Sequence, residues 1–420
     1  MEERNSRELI EGSINSLATL SNTAVGQSTA NLWKSVPKYP SFVHLLPDKP
    51  ATFVPSSLFL AARGGHFAIW VSSGGQDYHG FILKGVNDEN YEDLADRRWV
   101  GVRWPFDENE SQKGVVVGIE SMVFKDDMGR LLAVISRHNR DSSEFCIAAW
   151  EAKAAESPFK ALSPRLRSNG ESVNSLSPDG NLFAYGSSDS IDIFDIDQNQ
   201  NRPGFIKPSH GRSAVSLTWS QSCDKLLFCS KEAGETPNTN GYIEIYSVPE
   251  GSINFSSTFQ DLSFRQINTL DSFTFHFREA DNPIAVVRSC HSGSKSSLSR
   301  LLPATKKIAK LSTEQAFWGA IDPQNRIMSL KEVGKEGEWI FNSPKFSSDG
   351  SCCLCYDQND TRLQLLKETT RGVRTFNFPK NYYAPRAYAF GQDGQWILGL
   401  REPNGPDKRF IELHVWESEP

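Results

Sequence analysis

Cysteine is scarce in this sequence: there are 7 in 420 residues, scattered at Cys146, Cys223, Cys229, Cys290, Cys352, Cys353 and Cys355. An odd, dispersed set excludes the dense and even pattern of a disulfide-stapled scaffold and points to a reducing compartment. Long apolar runs are missing as well, since nowhere do about 18 consecutive apolar residues provide a membrane span. The start, Met1-Glu2-Glu3-Arg4-Asn5, lacks the basic stretch and apolar run of a signal peptide. Together these absences lead to the expectation of an intracellular, cytoplasmic protein, with the nucleus as alternative. Positive charge is not in surplus: 45 Lys+Arg stand against 51 Asp+Glu, a net charge of -6. That balance gives no electrostatic footprint for nucleic acid.

Catalytic signatures are lacking too. No GxGxxG, GxSxG or HExxH occurs, and the 8 histidines are dispersed singly. Ser292-Gly293-Ser294-Lys295 and Ser157-Pro158-Phe159-Lys160 fit Ser-x-x-Lys without the companion elements of a penicilloyl-type site. A phosphate loop around Gly293-Ser294-Lys295-Ser296 fails because Arg288 stands where its first Gly is required. Cys352-Cys353-x-Cys355 lies in an alternating stretch, where neighbouring side chains face opposite ways and cannot converge on zinc. Core packing is their expected role, and neither a metal nor another cofactor is expected.

What is present is a globular composition rich in turns: 38% hydrophobic, 11% aromatic and 23% charged residues, with 30 Gly and 22 Pro. At roughly 150 residues per domain the chain divides into two or three units, unless one repeat architecture spans it. A degenerate repeat does recur. Half of its unit is a turn followed by a short apolar strand. Ser177-Pro178-Asp179-Gly180, Ser348-Asp349-Gly350 and Gln392-Asp393-Gly394 are the clearest copies, with weaker ones ending at Gly65, Gly129, Asp224, Asp281 and Asn325. Asp-Gly suits a hairpin because Gly accepts positive φ and Asp bonds back to the backbone. The other half is a strand of period two, as in 145–151, 190–196, 242–248, 362–368 and 412–418. In 190–196 the alternation predicts one packed face, with the aspartates at the surface.

These two halves resemble a WD40 repeat, most closely over 172–197 and 214–248, with Phe194-Asp195 at the place of the Trp-Asp dipeptide. The resemblance implies an all-β fold, a β-propeller of four-stranded blades around a central channel. No unit has the full Gly-His and Trp-Asp pair: His210-Gly211 is followed by Asn240-Gly241 where the tight-turn Asp belongs, and Asp189 matches that Asp in a unit without the histidine. Turn spacings of 64, 51, 44, 57, 44, 25 and 44 residues, measured along the sequence, lead to an expectation of seven blades. The hairpin near Asn325 is then an extra or split element, and eight blades is the alternative. A strand near Ser41–Leu46 or Thr52–Val54 is expected to close the ring beside the last strand. Residues 5–20 read as a short helix capped by Asn5 with Glu8 three positions on, followed by a polar linker. The domain reading is 1–31 for helix and linker and 32–420 for the propeller.

Two aromatic-basic clusters are candidate partner-binding residues, because Trp, Tyr and Arg are enriched at interaction hot spots: Arg98, Trp99, Arg103 and Trp104, and Tyr382, Tyr383 and Arg386. The stretch Arg288 to Lys310 has no acidic residue, which makes Lys306, Lys307 and Lys310 candidate anion-binding residues. The functional expectation is a non-catalytic scaffold for a protein or peptide ligand. A propeller enzyme with channel metal or carboxylates, of the hydrolase or lactonase type, and an anionic-lipid binder are the alternatives.

Overall fold

The structure is a computed structural model, and it describes residues 29–37, 39–46, 53–63, 66–73, 78–83, 100–101, 104–106, 116–125, 130–138, 142–150, 159–169, 172–187, 189–202, 206–208, 212–232, 241–248, 252–258, 273–277, 284–288, 316–322, 327–333, 341–357, 362–369, 372–378, 388–392, 394–401 and 411–418. The strands among the described residues pair antiparallel into seven sheets. In chain order the first contains Phe53–Arg63, His66–Ser73, Tyr78–Leu83 and Val100–Gly101, and the second Val116–Phe124, Leu131–His138, Ser142–Trp150 and Leu166–Asn169, with Phe159–Ala161 also on its third strand. The third has Val173–Leu176, Leu182–Gly186, Ile191–Asp195 and Gln200–Asn201, and the fourth Arg212–Trp219, Lys225–Glu232, Gly241–Ser247 and Ser252–Thr258. Phe273–Phe277, Ile284–Arg288, Ala316–Asp322 and Ile327–Val333 make the fifth, and Phe341–Phe346, Cys352–Asp357, Arg362–Thr369 and Gly372–Asn377 the sixth. The seventh joins both ends of the chain: Tyr388–Phe390, Trp396–Arg401 and Ile411–Glu417 are completed by Phe42–Leu46, which pairs with the last strand from Phe42↔Val415 to Leu46↔Ile411.

The first strands of successive sheets lie side by side around a circuit, and that of the seventh meets that of the first. From the fifth sheet to the sixth the link is a side chain: His276 stacks on Phe346 with ring centroids 5.6 Å apart and bonds the Ser348 carbonyl at 3.0 Å. The molecule is thus an all-β propeller, and cores form where sheets face each other. Val123, Leu132, Val134, Phe145 and Ile147 of the second sheet meet Phe183, Tyr185 and Phe194 of the third. Leu182, Ala184, Ile191 and Ile193, on the other face of those same strands, meet Leu217, Trp219, Leu226 and Phe228 of the fourth.

This face-to-face stacking corrects the expectation for the aspartates of 190–196. A strand between two neighbouring sheets has no free face, so Asp195 is buried and is paired with Arg202 at 3.2 Å, while Asp192 is half-buried. The hairpin near Asn325 is also reassigned. Asp322↔Ile327 joins the third and fourth strands of the fifth sheet, so it is an outer hairpin of an ordinary sheet, and the short spacing runs from it to the inner turn of the next sheet. The helix read over 5–20 lies outside the described residues. Helix among the described residues is a single turn, α1 (Thr29–Leu32), in the stretch read as linker and across the 31/32 division.

Candidate interaction face

One side of the ring is built from a repeated connection between first and second strands. Phe124↔Leu131, Leu176↔Phe183, Trp219↔Leu226, Phe277↔Ile284, Phe346↔Cys353 and Phe390↔Ile397 each enclose six residues. Five of the six residues entering the turn are aromatic, a period the sequence carries but that is hidden when only the Asp-Gly pairs are followed. The first sheet departs, with a two-residue connection between Arg63 and His66.

Inside the turns the polar groups satisfy one another. In the third sheet Ser177 Oγ donates to Asp179 Oδ1 at 2.6 Å and accepts from Leu182 N at 2.9 Å, while Asn181 donates to both oxygens of Asp179. The sixth sheet repeats this with Ser347, Asp349, Ser351 and Cys352. In the fourth the carboxylate has moved two places on: Ser220 and Ser222 donate to Asp224, and Lys225 N donates to Ser220 Oγ. The fourth turn position takes a left-handed backbone, with φ of 70° at Gly180, 66° at Gly350, 71° at Gly394 and 59° at Cys223. Burial works to raise each of Asp179, Asp224 and Asp349, but these hydrogen bonds outweigh it and hold all three carboxyls below the ordinary range.

Asp349 has a further partner from the opposite end of the chain. Its Oδ2 accepts from Thr29 N at 2.6 Å, and Ser351 Oγ accepts from Ala30 N at 2.9 Å. Trp33, fully buried among Leu354, Leu363, Phe378, Tyr388 and Trp416, donates its indole N–H to the Gly394 carbonyl at 2.8 Å. Gln392 ties the seventh sheet to more distant ones: its Oε1 accepts from Phe124 N at 2.8 Å, and its Nε2 donates to the carbonyls of Phe124 and Pro178 at 3.1 and 3.2 Å. Thr29 and Trp33 did not stand out in the sequence, and Gln392 did so only as a turn residue, because their partners are over 200 residues away.

The residues singled out from the sequence fare differently. Trp104 is buried with Ile119, Ile135, Cys146 and Phe159, and Phe106 packs edge-on against it at 5.7 Å. It is a packing residue in that cluster. Arg98, Trp99, Arg103, Tyr382, Tyr383, Arg386, Lys306, Lys307 and Lys310 lie outside the described residues, as does His210. Cys352, Cys353 and Cys355 are fully buried, with burial pushing the Cys352 thiol up to about 12. Asp189 is exposed and its amide bonds Ser187 Oγ at 3.3 Å. Among the described residues no group of three or more His, Cys, Asp or Glu is arranged to hold a metal ion, and no helix is long and apolar enough to cross a membrane.

No protein-family model matches this chain, and no curated protein matches it in sequence. Solved structures do match in fold. The WD40 domain of Toxoplasma gondii coronin is 11% identical, with a TM-score of 0.54 over 92% of this chain and 89% of that one. Chaetomium thermophilum Raptor is 10% identical, with a TM-score of 0.51 over 89% of this chain and 29% of that one. The ring of sheets, its repeated turn and the likeness to the coronin WD40 domain make the fold of this chain a WD40-like β-propeller.

Proposed function

We propose that the protein is a non-catalytic, cytoplasmic interaction scaffold, a propeller of seven blades with one sheet to each, which binds a protein or peptide ligand through its loops. In this reading residues 32–420 are the propeller, closed by an N-terminal strand, and residues 1–31 are its N-terminal extension. Support comes from strand direction. The first strands of the second to seventh sheets run toward the six-residue turns and that of the first sheet toward its two-residue turn, so second and fourth strands end on the opposite side. Gly101, Arg288 and Tyr388 are strand ends on that opposite side, by their pairing with His79, Phe273 and Gly399. In sequence, Gly101 lies two residues before Arg103, Arg288 opens the basic stretch that contains Lys306, Lys307 and Lys310, and Tyr388 follows the Tyr382, Tyr383 and Arg386 cluster. On the turn side, by contrast, the Asp179, Asp224 and Asp349 carboxylates already accept donors from their own turns, a structural use that leaves them poorly suited to bind substrate.

The test is affinity capture from cell extract followed by direct binding to the recovered partner. Alanine at Arg98, Trp99 and Arg103 together, or at Tyr382, Tyr383 and Arg386 together, is expected to weaken binding at least about tenfold, the order of one hot-spot loss, with the unfolding midpoint unchanged. A partner that binds both variants as tightly as the parent protein would exclude these loops.

A further inference from the structure

The α1 turn is too short to be a helix on its own account. Four residues cannot meet the cost of helix nucleation in water, and the first amides of any helix have no partner within it. Here the ring supplies both needs. Thr29 N–H and Ala30 N–H donate to Asp349 and Ser351, side chains 320 and 321 residues further along, where a longer helix uses its own N-cap. At the other end Lys367 Nζ donates to the Trp33 carbonyl at 3.4 Å, and the Trp33 indole is seated in the seam between the sixth and seventh sheets with its N–H on Gly394 O. The seat is shaped as well as polar: a Cβ on Gly394 would lie 2.3 Å from Thr29 Oγ1.

We infer that the groove formed by Asp349, Ser351, Lys367 and Gly394 is a peptide-recognition site for one helical turn with two free leading amides and a tryptophan at its fifth residue, and that Thr29–Trp33 is its ligand, bound in cis. Because the turn has no stability of its own, its ordering and its binding are a single event. The site therefore empties without the sheets unfolding, and a segment of the same chemistry supplied in trans competes for it.

Two measurements on the full chain test this. In the parent protein, hydrogen exchange read by peptide mass spectrometry should show the Thr29 and Ala30 amides opening at least tenfold faster than those of Cys352–Asp357 and Ile411–Glu417, and Asp349→Asn should raise the former tenfold more without changing the latter. Exchange of both sets at one common rate would make α1 an ordinary part of the core and overturn the inference. The second uses Trp33→Ala and an acetylated peptide of residues 27–37 as probe. The peptide is expected to raise the thermal midpoint of the variant by several degrees and to bind the parent at least tenfold more weakly, while the same peptide with Ala at the Trp33 position has no effect. A folded Trp33→Ala protein with no shift at millimolar peptide would sink the proposal, and if that variant does not fold, the exchange measurement decides alone.

Discussion

Cys223 sits where three other turns have glycine, and it holds a left-handed φ of 59°. For a residue with a Cβ that conformation costs roughly 1–2 kcal/mol, so Cys223→Gly is expected to stabilise the protein by about 1 kcal/mol, part of the relief being offset by the greater freedom of glycine in the unfolded chain. A denaturant titration with unchanged slope measures it, and a lower midpoint would show that the thiol contributes packing worth more than the strain. Gly394 presents the opposite case. Alanine there meets Thr29 as well as a φ of 71°, and a loss of about 2 kcal/mol or more is expected. Asp-Gly pairs were legible in the sequence because φ is a local property, whereas Gly394's clearance for Thr29 belongs to a contact across 365 positions.

At the scale of the element, the turn acts as a unit. Ser177 both donates to Asp179 and accepts from Leu182 N, so Ser177→Ala leaves two groups short of a partner, and a loss of about 1–3 kcal/mol is expected from urea unfolding. A loss below about 0.5 kcal/mol would mean that water replaces the hydroxyl freely. The alternating strands were legible for the same reason as the turns, since period two is written residue by residue. Which faces are buried was not. One-sided burial is the default for an antiparallel sheet, but strands stacked between two neighbouring sheets lose both faces to the core, and that is why Asp195 needs Arg202. The outer hairpin at Asn325 was misread on similar grounds: a turn sequence states that the chain reverses, and does not state which pair of strands it joins.

For the whole molecule, pH dependence should show two stages. Burial lowers His276 and His414 below the ordinary histidine value, so the folded state binds fewer protons than the unfolded one. Their contribution is fully present above about pH 6.5 and declines as pH falls below it toward the folded values. Asp179, Asp224 and Asp349 are depressed, so their contribution is present above about pH 3.9 and is lost as pH falls through their folded values. Thermal midpoints between pH 8 and 2.5 are expected to fall first gently and then steeply. His276→Asn should flatten the first stage and leave the second, and an unaltered first stage would remove His276 from this account. Chelation by EDTA is expected to leave the midpoint unchanged at neutral pH, because the turn carboxylates draw their donors from the protein itself; a drop of several degrees would instead reveal a metal-dependent site.

The sequence by itself determined the all-β class, the recurrent turns, the resemblance to WD40 repeats and the core packing of Cys352, Cys353 and Cys355, all of which depend on interactions within a few residues or on simple periodicity. Only the tertiary structure decided that Trp104 is a core residue, that of the two candidate closing strands it is Phe42–Leu46 that pairs with the last strand, and that Thr29, Trp33 and Gln392 tie together turns from different sheets. The physical reason is loop closure. Contacts such as Thr29 to Asp349 or Gln392 to Phe124 exist because closing the ring brings remote segments into register, and no local pattern along the chain encodes which remote residue will be the neighbour.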